Sequence, residues 1–238
     1  MPLQNRVTPT GDIIATPHHG LFTGNRGIIH DPSTRTLLKK RWSSPAWLTC
    51  VCEFHGRRRK VMATQSWTEL FFLDEATALA AGHRPCFHCR RFDANRFRTA
   101  WEAGNRVKHV SLHDIDAVLH QERLDHGQKR LHALPIPLHQ LPDGAMVKEG
   151  EESFLLSQSR VFLWSPAGYI RAVREPKDAM LLTPPSILRA LIAGYRPTLH
   201  PSARPIGLPS VPAAQSSPVR RRVQAGSGKV SGSPRRPA

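Results

Sequence analysis

Two pairs of cysteines constrain this chain more than any other feature of its sequence. Cys50 and Cys52 are separated by one residue, and Cys86 and Cys89 are separated by two. A C-x-x-C turn lets two thiolates converge on one cation, and structural zinc sites are commonly tetrahedral and closed by four thiolates or imidazoles. A fold that brings the two pairs together would therefore form a four-cysteine metal site.

The spacing leaves three interpretations of these cysteines open. The run 47–54 is rich in β-forming residues and predicts a strand, in which Cys50 and Cys52 project from the same face. If this strand packs on the C-x-x-C turn, the four sulfurs bind Zn²⁺. If it does not, the first pair belongs to an ordinary strand and the second to an unligated turn. A redox role is the third interpretation, although no thioredoxin-like βαβ pattern surrounds the C-x-x-C turn.

The surrounding composition favours metal binding in a reducing compartment. Four cysteines in 238 residues do not make a disulfide scaffold. The N-terminal residues lack the apolar segment of a secretory signal, and no stretch approaches the roughly 18–20 apolar residues of a membrane span. We therefore expect a cytoplasmic protein without a membrane segment. Three nearby histidines are additional candidate ligands: His55, His83 and His88.

Positive charge is concentrated at the two ends of the chain. The 34 Lys and Arg against 18 Asp and Glu give a formal net charge of +16. Residues 1–110 contribute +9 of this, residues 111–200 contribute 0, and residues 201–238 contribute +7. The last segment is rich in Pro and Ser and has no aromatic residue, which predicts a disordered basic tail.

Basic residues in the first segment surround the cysteines and alternate with phenylalanines. Arginines that face solvent would contact the phosphates of DNA or RNA, and exposed rings would stack on bases. The ordinary alternative is a solvated charged face with the phenylalanines in the core. The candidate nucleic-acid contacts are Arg57, Arg58, Arg59, Lys60, Arg84, Arg90, Arg91, Arg96 and Arg98.

Local patterns predict an α+β fold. Short apolar runs between turn residues predict a meander of short strands before residue 74. Asp74 is predicted to cap a helix that ends at Gly82, and Asp93 is predicted to cap the next one. The patterns further along the chain predict helices over 113–124 and 185–193 and strands over 152–164 and 169–173.

These elements divide the chain into three predicted parts. Residues 1–110 form a short-stranded β module with a zinc knuckle and helices. Residues 111–200 form a smaller α/β part, made of a helix followed by a strand and helix unit. Residues 201–238 form the disordered basic tail.

The segment ALAAGHRPCFHCR, residues 78–90, resembles a known zinc-binding segment. In the Ada family a helix ending in Ala-Gly is followed by Arg-Pro-Cys-x-x-Cys. The resemblance covers about residues 70–91 and implies that Cys86 and Cys89 are metal ligands. Residues 1–200 as a whole resemble bacterial proteins that carry this knuckle.

The chain also departs from the Ada pattern in two ways. The upstream pair in the family is Cys-x-x-x-Cys, whereas here Cys50 and Cys52 have one residue between them. The Pro-Cys-His-Arg methyl-acceptor motif is missing from this sequence. The resemblance therefore implies zinc binding and not alkyl transfer.

A second candidate site lies on the predicted third helix. His113, Asp116 and His120 are spaced at i, i+3 and i+7, which places them on one helix face. Such a group can bind a metal or act as general acid and base, although it is more often a polar surface. The main hypothesis is a zinc-binding protein that contacts nucleic acid through its arginines. The alternative is a metal-dependent or thiolate-based enzyme that acts on nucleic acid or nucleotides.

Overall fold

Short strands dominate the first half of the chain because its apolar runs are only a few residues long between turn residues. The computed structural model describes residues 1–56, 60–64, 66–172 and 174–203. The strands before the first helix are β1 (Gln4–Val7), β2 (Ile13–Ala15), β3 (Phe22–Asn25), β4 (His30–Asp31), β5 (Thr36–Leu37), β6 (Leu48–Val51) and β7 (Leu70–Phe72).

The rest of the described chain groups most of its helices and strands into separate runs, as is typical of an α+β fold. The helices are α1 (Glu75–Ala80), α2 (Arg91–Asn105), α3 (Leu112–Arg123) and α4 (Pro185–Ile192), with 3₁₀ turns at Leu138–Gln140 and Pro201–Ala203. The later strands are β8 (Arg84–Pro85), β9 (Leu124–Asp125), β10 (Gln128–Lys129), β11 (Met146–Glu149), β12 (Glu152–Ser157), β13 (Arg160–Ser165), β14 (Gly168–Arg171) and β15 (Met180–Leu181).

The first sheet is mixed, and the predicted meander is wrong. Its strand order is β2-β1-β7-β3-β6-β8, with β1 parallel to β7 and β6 parallel to β8. The side chains of Leu70 and Phe72 on β7 are fully buried, so this strand takes a central position instead of pairing with its sequence neighbour β6. The parallel pairing of β6 and β8 sets the position of the C-x-x-C turn, which follows β8.

The second sheet is antiparallel, in the order β14-β13-β12-β11-β15. The predicted strand over 152–164 is two strands joined by a tight turn at Gln158 and Ser159. Both turn residues have a positive φ, of 52° and 56°. This turn lacks the Asn-Gly or Asp-Gly pair that usually marks such hairpins, so its sequence carries no clear turn signal.

Helix α1 begins as the sequence predicts. The side chain of Asp74 accepts hydrogen bonds from the Thr77 backbone N–H at 2.9 Å and from the Tyr169 hydroxyl at 3.0 Å. The buried carboxylate thus caps α1 and also attaches it to the second sheet. Gly82 follows the helix with φ of +86°, in the left-handed region that favours glycine. A side chain there would collide with Arg123, whose atoms lie 2.6 Å from the Cβ position.

Helix α2 begins three residues earlier than predicted. Arg91 is its first residue, so Asp93 lies inside the first turn and is not the cap. Arg90 Nη2 donates a hydrogen bond of 2.9 Å to the Asp93 carboxylate. This interaction holds the end of the C-x-x-C turn against the helix.

One hydrophobic core crosses the predicted boundary at residue 110. Phe97 and Trp101 of α2 pack with Ile115 and Leu119 of α3 and with Leu188 of α4. All the described residues belong to one compact unit, Met1–Ile206. The two halves of this unit are therefore joined by shared apolar packing as well as by the chain.

The end of the described chain is ordered past the predicted start of the tail. Residues 201–203 form a 3₁₀ turn, and Ala203 is buried in the core of the second sheet. The remainder of the predicted disordered tail, residues 204–238, lies outside the described residues. Within the described ranges no helix has both the length and the apolar character needed to cross a lipid bilayer.

Candidate metal centre and basic surface

The parallel pairing of β6 and β8 brings the two cysteine segments together. Cys50 lies in the middle of β6 and is buried. The Cys86 backbone N–H donates to the Thr49 carbonyl oxygen at 2.9 Å, which extends the pairing one residue beyond β8. The Arg90 N–H then donates to the Cys86 carbonyl at 2.9 Å and closes the C-x-x-C turn. The backbone therefore places Cys86 and Cys89 beside Cys50.

Three sulfurs form a compact group. The Sγ atoms of Cys50, Cys86 and Cys89 all lie within 4.8 Å of one another. Two thiolates on a tetrahedral zinc ion are about 3.8 Å apart, since each Zn–S bond is about 2.3 Å. The upper limit of 4.8 Å is compatible with this spacing, and none of the three cysteines forms a disulfide. We call these three residues the cysteine cluster.

The three thiols of the cysteine cluster differ in pKa because they form hydrogen bonds with one another. Hydrogen bonds from Cys50 and Cys89, together with the Cys89 backbone N–H, hold the pKa of Cys86 far below the usual range of a thiol. The pKa of Cys50 is raised because its thiol donates to Cys86 and Cys89 and because it is buried. One thiolate is therefore stabilised by two thiols, and the thiolate is the form of cysteine that binds metals.

The fourth predicted cysteine lies outside the cysteine cluster. Strand β6 ends at Val51, so the rule that residues i and i+2 share a face does not extend to Cys52. Cys52 is exposed, and its Sγ lies 3.6 Å from the Leu21 carbonyl oxygen. The expected pairing of Cys50 and Cys52 on one face of a strand is not what the structure shows.

The three candidate histidines also lie outside the cysteine cluster. His83 is buried between the rings of Trp47 and Phe72, at centroid distances of 5.0 and 4.6 Å. His55 and His88 are exposed and contact Phe54. No His, Cys, Asp or Glu in the described ranges joins the three sulfurs as a fourth ligand. A tetrahedral metal held here would have one position without a ligand from those residues.

Two of the candidate nucleic-acid contacts are interior residues. Arg84 is 5% exposed and binds Asp116, and Arg90 is 4% exposed and binds Glu75 at 2.9 Å. Their guanidinium groups are paired with carboxylates and turned away from solvent, where a polyanion would be. Both arginines stabilise the fold around the cysteine cluster.

Other candidate contacts form an exposed surface on the first half of α2. Arg91 and Arg96 are exposed, Phe92 is 75% exposed, and Arg98 lies over the ring of Phe87 with its Cζ 5.4 Å from the centroid. We call Arg91, Phe92, Arg96 and Arg98 the α2 basic surface. Lys60 is exposed, and Arg57, Arg58 and Arg59 lie outside the described residues.

The candidate acid–base residues of α3 do not form a common site. His113 has an 89% exposed side chain, whereas Asp116 is buried against Arg84. His120 is half-buried and pairs with Arg123, whose Nη2 lies 2.8 Å from its Nδ1. The three residues have different environments and different partners, so the predicted proton-transfer group is not assembled.

Sequence reasoning missed a cationic cavity on another part of the fold. Arg26, Trp47, Arg123 and Lys129 line a cavity of about 80 Å³. These residues come from four separate segments, and no local spacing links them. None of the four residues belongs to a motif in the sequence, so a local pattern does not mark the cavity.

Comparison of the chain with family models, curated proteins and solved structures gives no match. The interpretation of the site therefore rests on its own geometry and chemistry.

Proposed function

We propose that the protein binds Zn²⁺ through the cysteine cluster and contacts nucleic acid through the α2 basic surface. The observation that carries the proposal is the approach of three sulfurs, from two segments 36 residues apart, to within 4.8 Å of one another. Three thiols converging in this way suit a soft or borderline cation better than a hard one. Zn²⁺ is the metal most often held by thiolates in a tetrahedral protein site.

The local structure supports a metal site in preference to an incidental cluster. The Cys86 thiolate is stabilised by hydrogen bonds from the other two thiols, which therefore already point their sulfurs towards a common centre. A Zn²⁺ ion that replaced those two protons would keep the net charge of the cluster at −1 and would coordinate all three sulfurs at once. The fourth ligand would be water or an exogenous group.

The nucleic-acid part of the proposal rests on the exposed side chains that follow Cys89. Arg91 and Arg96 present guanidinium groups to solvent, which bind phosphate oxygens in a bidentate manner. Phe92 exposes an aromatic face beside them, and such rings stack on unpaired bases. The combination fits single-stranded DNA or RNA better than the sequence-specific readout of a duplex groove.

Metal analysis of the purified full chain tests the first part. We expect about one zinc per chain, and loss of metal in Cys50→Ser, Cys86→Ser and Cys89→Ser. Cys52→Ser is the matched control, since Cys52 is adjacent in sequence but outside the cysteine cluster. A metal-free wild-type protein, or equal metal loss in Cys52→Ser, would contradict the assignment.

Binding of fluorescent single-stranded oligonucleotides across a salt series tests the second part. Replacing Arg91, Arg96 and Arg98 by Gln should weaken binding and reduce the slope of log K against log salt by about 0.7 per lost contact. Replacing Arg160 and Arg171 by Gln removes exposed arginines elsewhere and serves as the control. Unchanged binding in the first variant would exclude the α2 basic surface. Loss of binding only when Arg220, Arg221 and Arg222 are replaced would assign the contact to the tail.

A metal-dependent enzyme is the second candidate, and one observation favours it. The described residues supply three ligands, which is the number that catalytic zinc sites use when water or substrate takes the fourth position. Loss of a hydrolytic or transfer activity on nucleotides in Cys86→Ser, with oligonucleotide binding retained, would support this alternative.

A further inference from the structure

A cavity of about 80 Å³ lies among the first sheet, α3 and the β9–β10 hairpin. Four basic residues line it: Arg26, Arg41, Arg123 and Lys129. Among the described residues of the lining, Asp12, in the turn between β1 and β2, supplies the only carboxylate. The volume is far below the roughly 300–1,000 Å³ of sites for larger organic ligands, so the cavity suits a small ion or one charged group of a ligand.

The buried cations in this cavity have no carboxylate of the described chain within ion-pair distance, although Asp12, Asp116 and Glu122 act on them electrostatically at longer range. Arg26, Arg123 and Lys129 form no ion pair with any carboxylate of the described ranges. Arg26 Nε lies 3.2 Å from His83 Nε2, Arg123 donates to backbone carbonyls, and Lys129 donates to the Ala80 carbonyl. Buried charges are normally paired, because leaving them unpaired costs several kcal/mol.

Trp47 brings the two arginines together. The Cζ atoms of Arg26 and Arg123 each lie 3.9 Å from the centroid of the Trp47 ring. Cation–π contacts offset part of the cost of burying two guanidinium groups. They do not remove the repulsion between the arginines, and burial together with this repulsion lowers the pKa of Arg26.

Three buried N–H groups in the lining have no acceptor. Arg26 Nη2, Trp47 Nε1 and Arg123 Nε make no hydrogen bond to any part of the chain that the structure describes. Arg26 is 2% exposed and Trp47 is 3% exposed, so bulk water does not satisfy these donors freely. These three donors are enclosed by the surrounding protein, so the excess of positive charge in the lining is the feature that favours an anion at this cavity.

We propose that this cavity binds a phosphate group, with Arg26 and Arg123 as its main ligands and Lys129 and Arg41 as further cations. The site shares no residue with the cysteine cluster or the α2 basic surface. A phosphate dianion matches the charge excess of four basic residues over one carboxylate better than a carboxylate ligand does, and its oxygens accept charge-assisted hydrogen bonds from guanidinium groups. The ligand is either inorganic phosphate or the phosphate of a small monoester.

Isothermal titration of the full chain with inorganic phosphate, in a buffer free of oxyanions, tests the site. We expect saturable binding, with affinity reduced at least about tenfold in Arg26→Gln, because a charge-assisted pair of hydrogen bonds is lost. Arg171→Gln, an exposed arginine on β14, is the matched control and should bind like the wild type. Absence of saturable binding to the wild type would overturn the proposal.

Two further variants keep the test decisive if Arg26→Gln does not fold. Arg41 is exposed at the cavity, and Arg41→Gln should fold and weaken phosphate binding severalfold. Lys129→Met should also fold and weaken phosphate binding severalfold, and wild-type affinity in both variants would contradict the proposal.

Titration with adenosine 5′-monophosphate distinguishes between inorganic phosphate and a phosphate monoester as the ligand. Displacement of phosphate by the nucleotide indicates a monoester ligand, and binding of inorganic phosphate alone indicates the free ion.

Discussion

Arg84 donates two hydrogen bonds of 2.7 Å, from Nε and Nη2, to the two carboxylate oxygens of Asp116. The sequence predicts different roles for these residues, a nucleic-acid contact for Arg84 and an acid–base group for Asp116. The bidentate pair instead connects β8, which leads into the C-x-x-C turn, to α3. Both side chains are at least nine-tenths buried, so the pair fixes the position of the turn from inside the protein.

The first prediction concerns this buried ion pair. Arg84→Met and Asp116→Leu should each lower the free energy of unfolding by about 3–5 kcal/mol, because each leaves an uncompensated charge in the interior. Arg84→Met combined with Asp116→Leu should cost clearly less than the sum of the single changes. Urea denaturation of the four proteins at constant zinc measures the coupling. Additive losses would show that the pair contributes no specific interaction.

The second prediction concerns metal removal. If Zn²⁺ occupies the cysteine cluster as proposed, its chelation should lower the melting temperature and reduce amide protection in β6 and in the turn after β8, because the metal would link these two segments. Cys86→Ser should melt near the chelated wild type and should not respond to chelator. Hydrogen exchange with mass spectrometry locates the effect.

The control for metal removal is Cys52→Ser. Cys52 lies outside the cysteine cluster, so this variant should keep the response to chelator of the wild type. A global loss of protection that is equal in β12 and β13 would contradict a local link at the cysteine cluster.

Features predicted correctly from the sequence are those set by neighbouring residues. The cap at Asp74 depends on an acceptor beside its own helix, and the structure confirms it. The C-x-x-C spacing places Cys86 and Cys89 on one turn by local geometry alone. The start of α2 was placed wrongly because Asp93 resembles a cap but pairs with Arg90 instead.

Features that depend on long-range pairing were not predictable in the same way. Cys50 reaches the C-x-x-C turn only because β6 pairs in parallel with β8. The end of β6 at Val51 has no turn residue to mark it, so Cys52 was assigned to the same strand face. The cationic cavity brings Arg26 close to Lys129, about a hundred positions away, and no sequence periodicity predicts such a contact.

The third prediction concerns the packing of α2 on α4. A Cβ at Gly104 would lie 2.2 Å from the Arg189 carbonyl oxygen, so the helices must move apart to accept a side chain. Gly104→Ala should therefore lower the free energy of unfolding by about 1–3 kcal/mol, as overpacking does. In an exposed helix the same change would stabilise the protein by roughly 0.5–1 kcal/mol. The sign of the change in unfolding free energy therefore shows whether the helices are in close contact at Gly104. Denaturant unfolding of the variant checks it, with Asn95→Ala on the exposed face of α2 as the control.

The groups that face Lys129 determine how its charge affects stability. Burial is the main cause that lowers its pKa from 10.5 to about 7, and the positive charges of Arg123 and Arg26 lower it further. The negative charge of Glu122 raises the pKa of Lys129 and so offsets part of this shift. The ammonium end is enclosed and donates to the Ala80 carbonyl, although the residue as a whole is partly exposed.

The last prediction follows from this lowered pKa. Between about pH 7 and 10.5 the unfolded chain retains the Lys129 proton while the folded protein releases it, so this residue makes stability rise with pH. The difference in unfolding free energy between wild type and Lys129→Met should therefore shift in favour of the wild type by one to a few kcal/mol from pH 7 to pH 9.5. Denaturant unfolding in phosphate-free buffers measures this difference at each pH, and the exposed residue Lys108, changed to Met, serves as the control. A difference that stays constant over this range would show that the Lys129 ammonium remains charged in the folded protein.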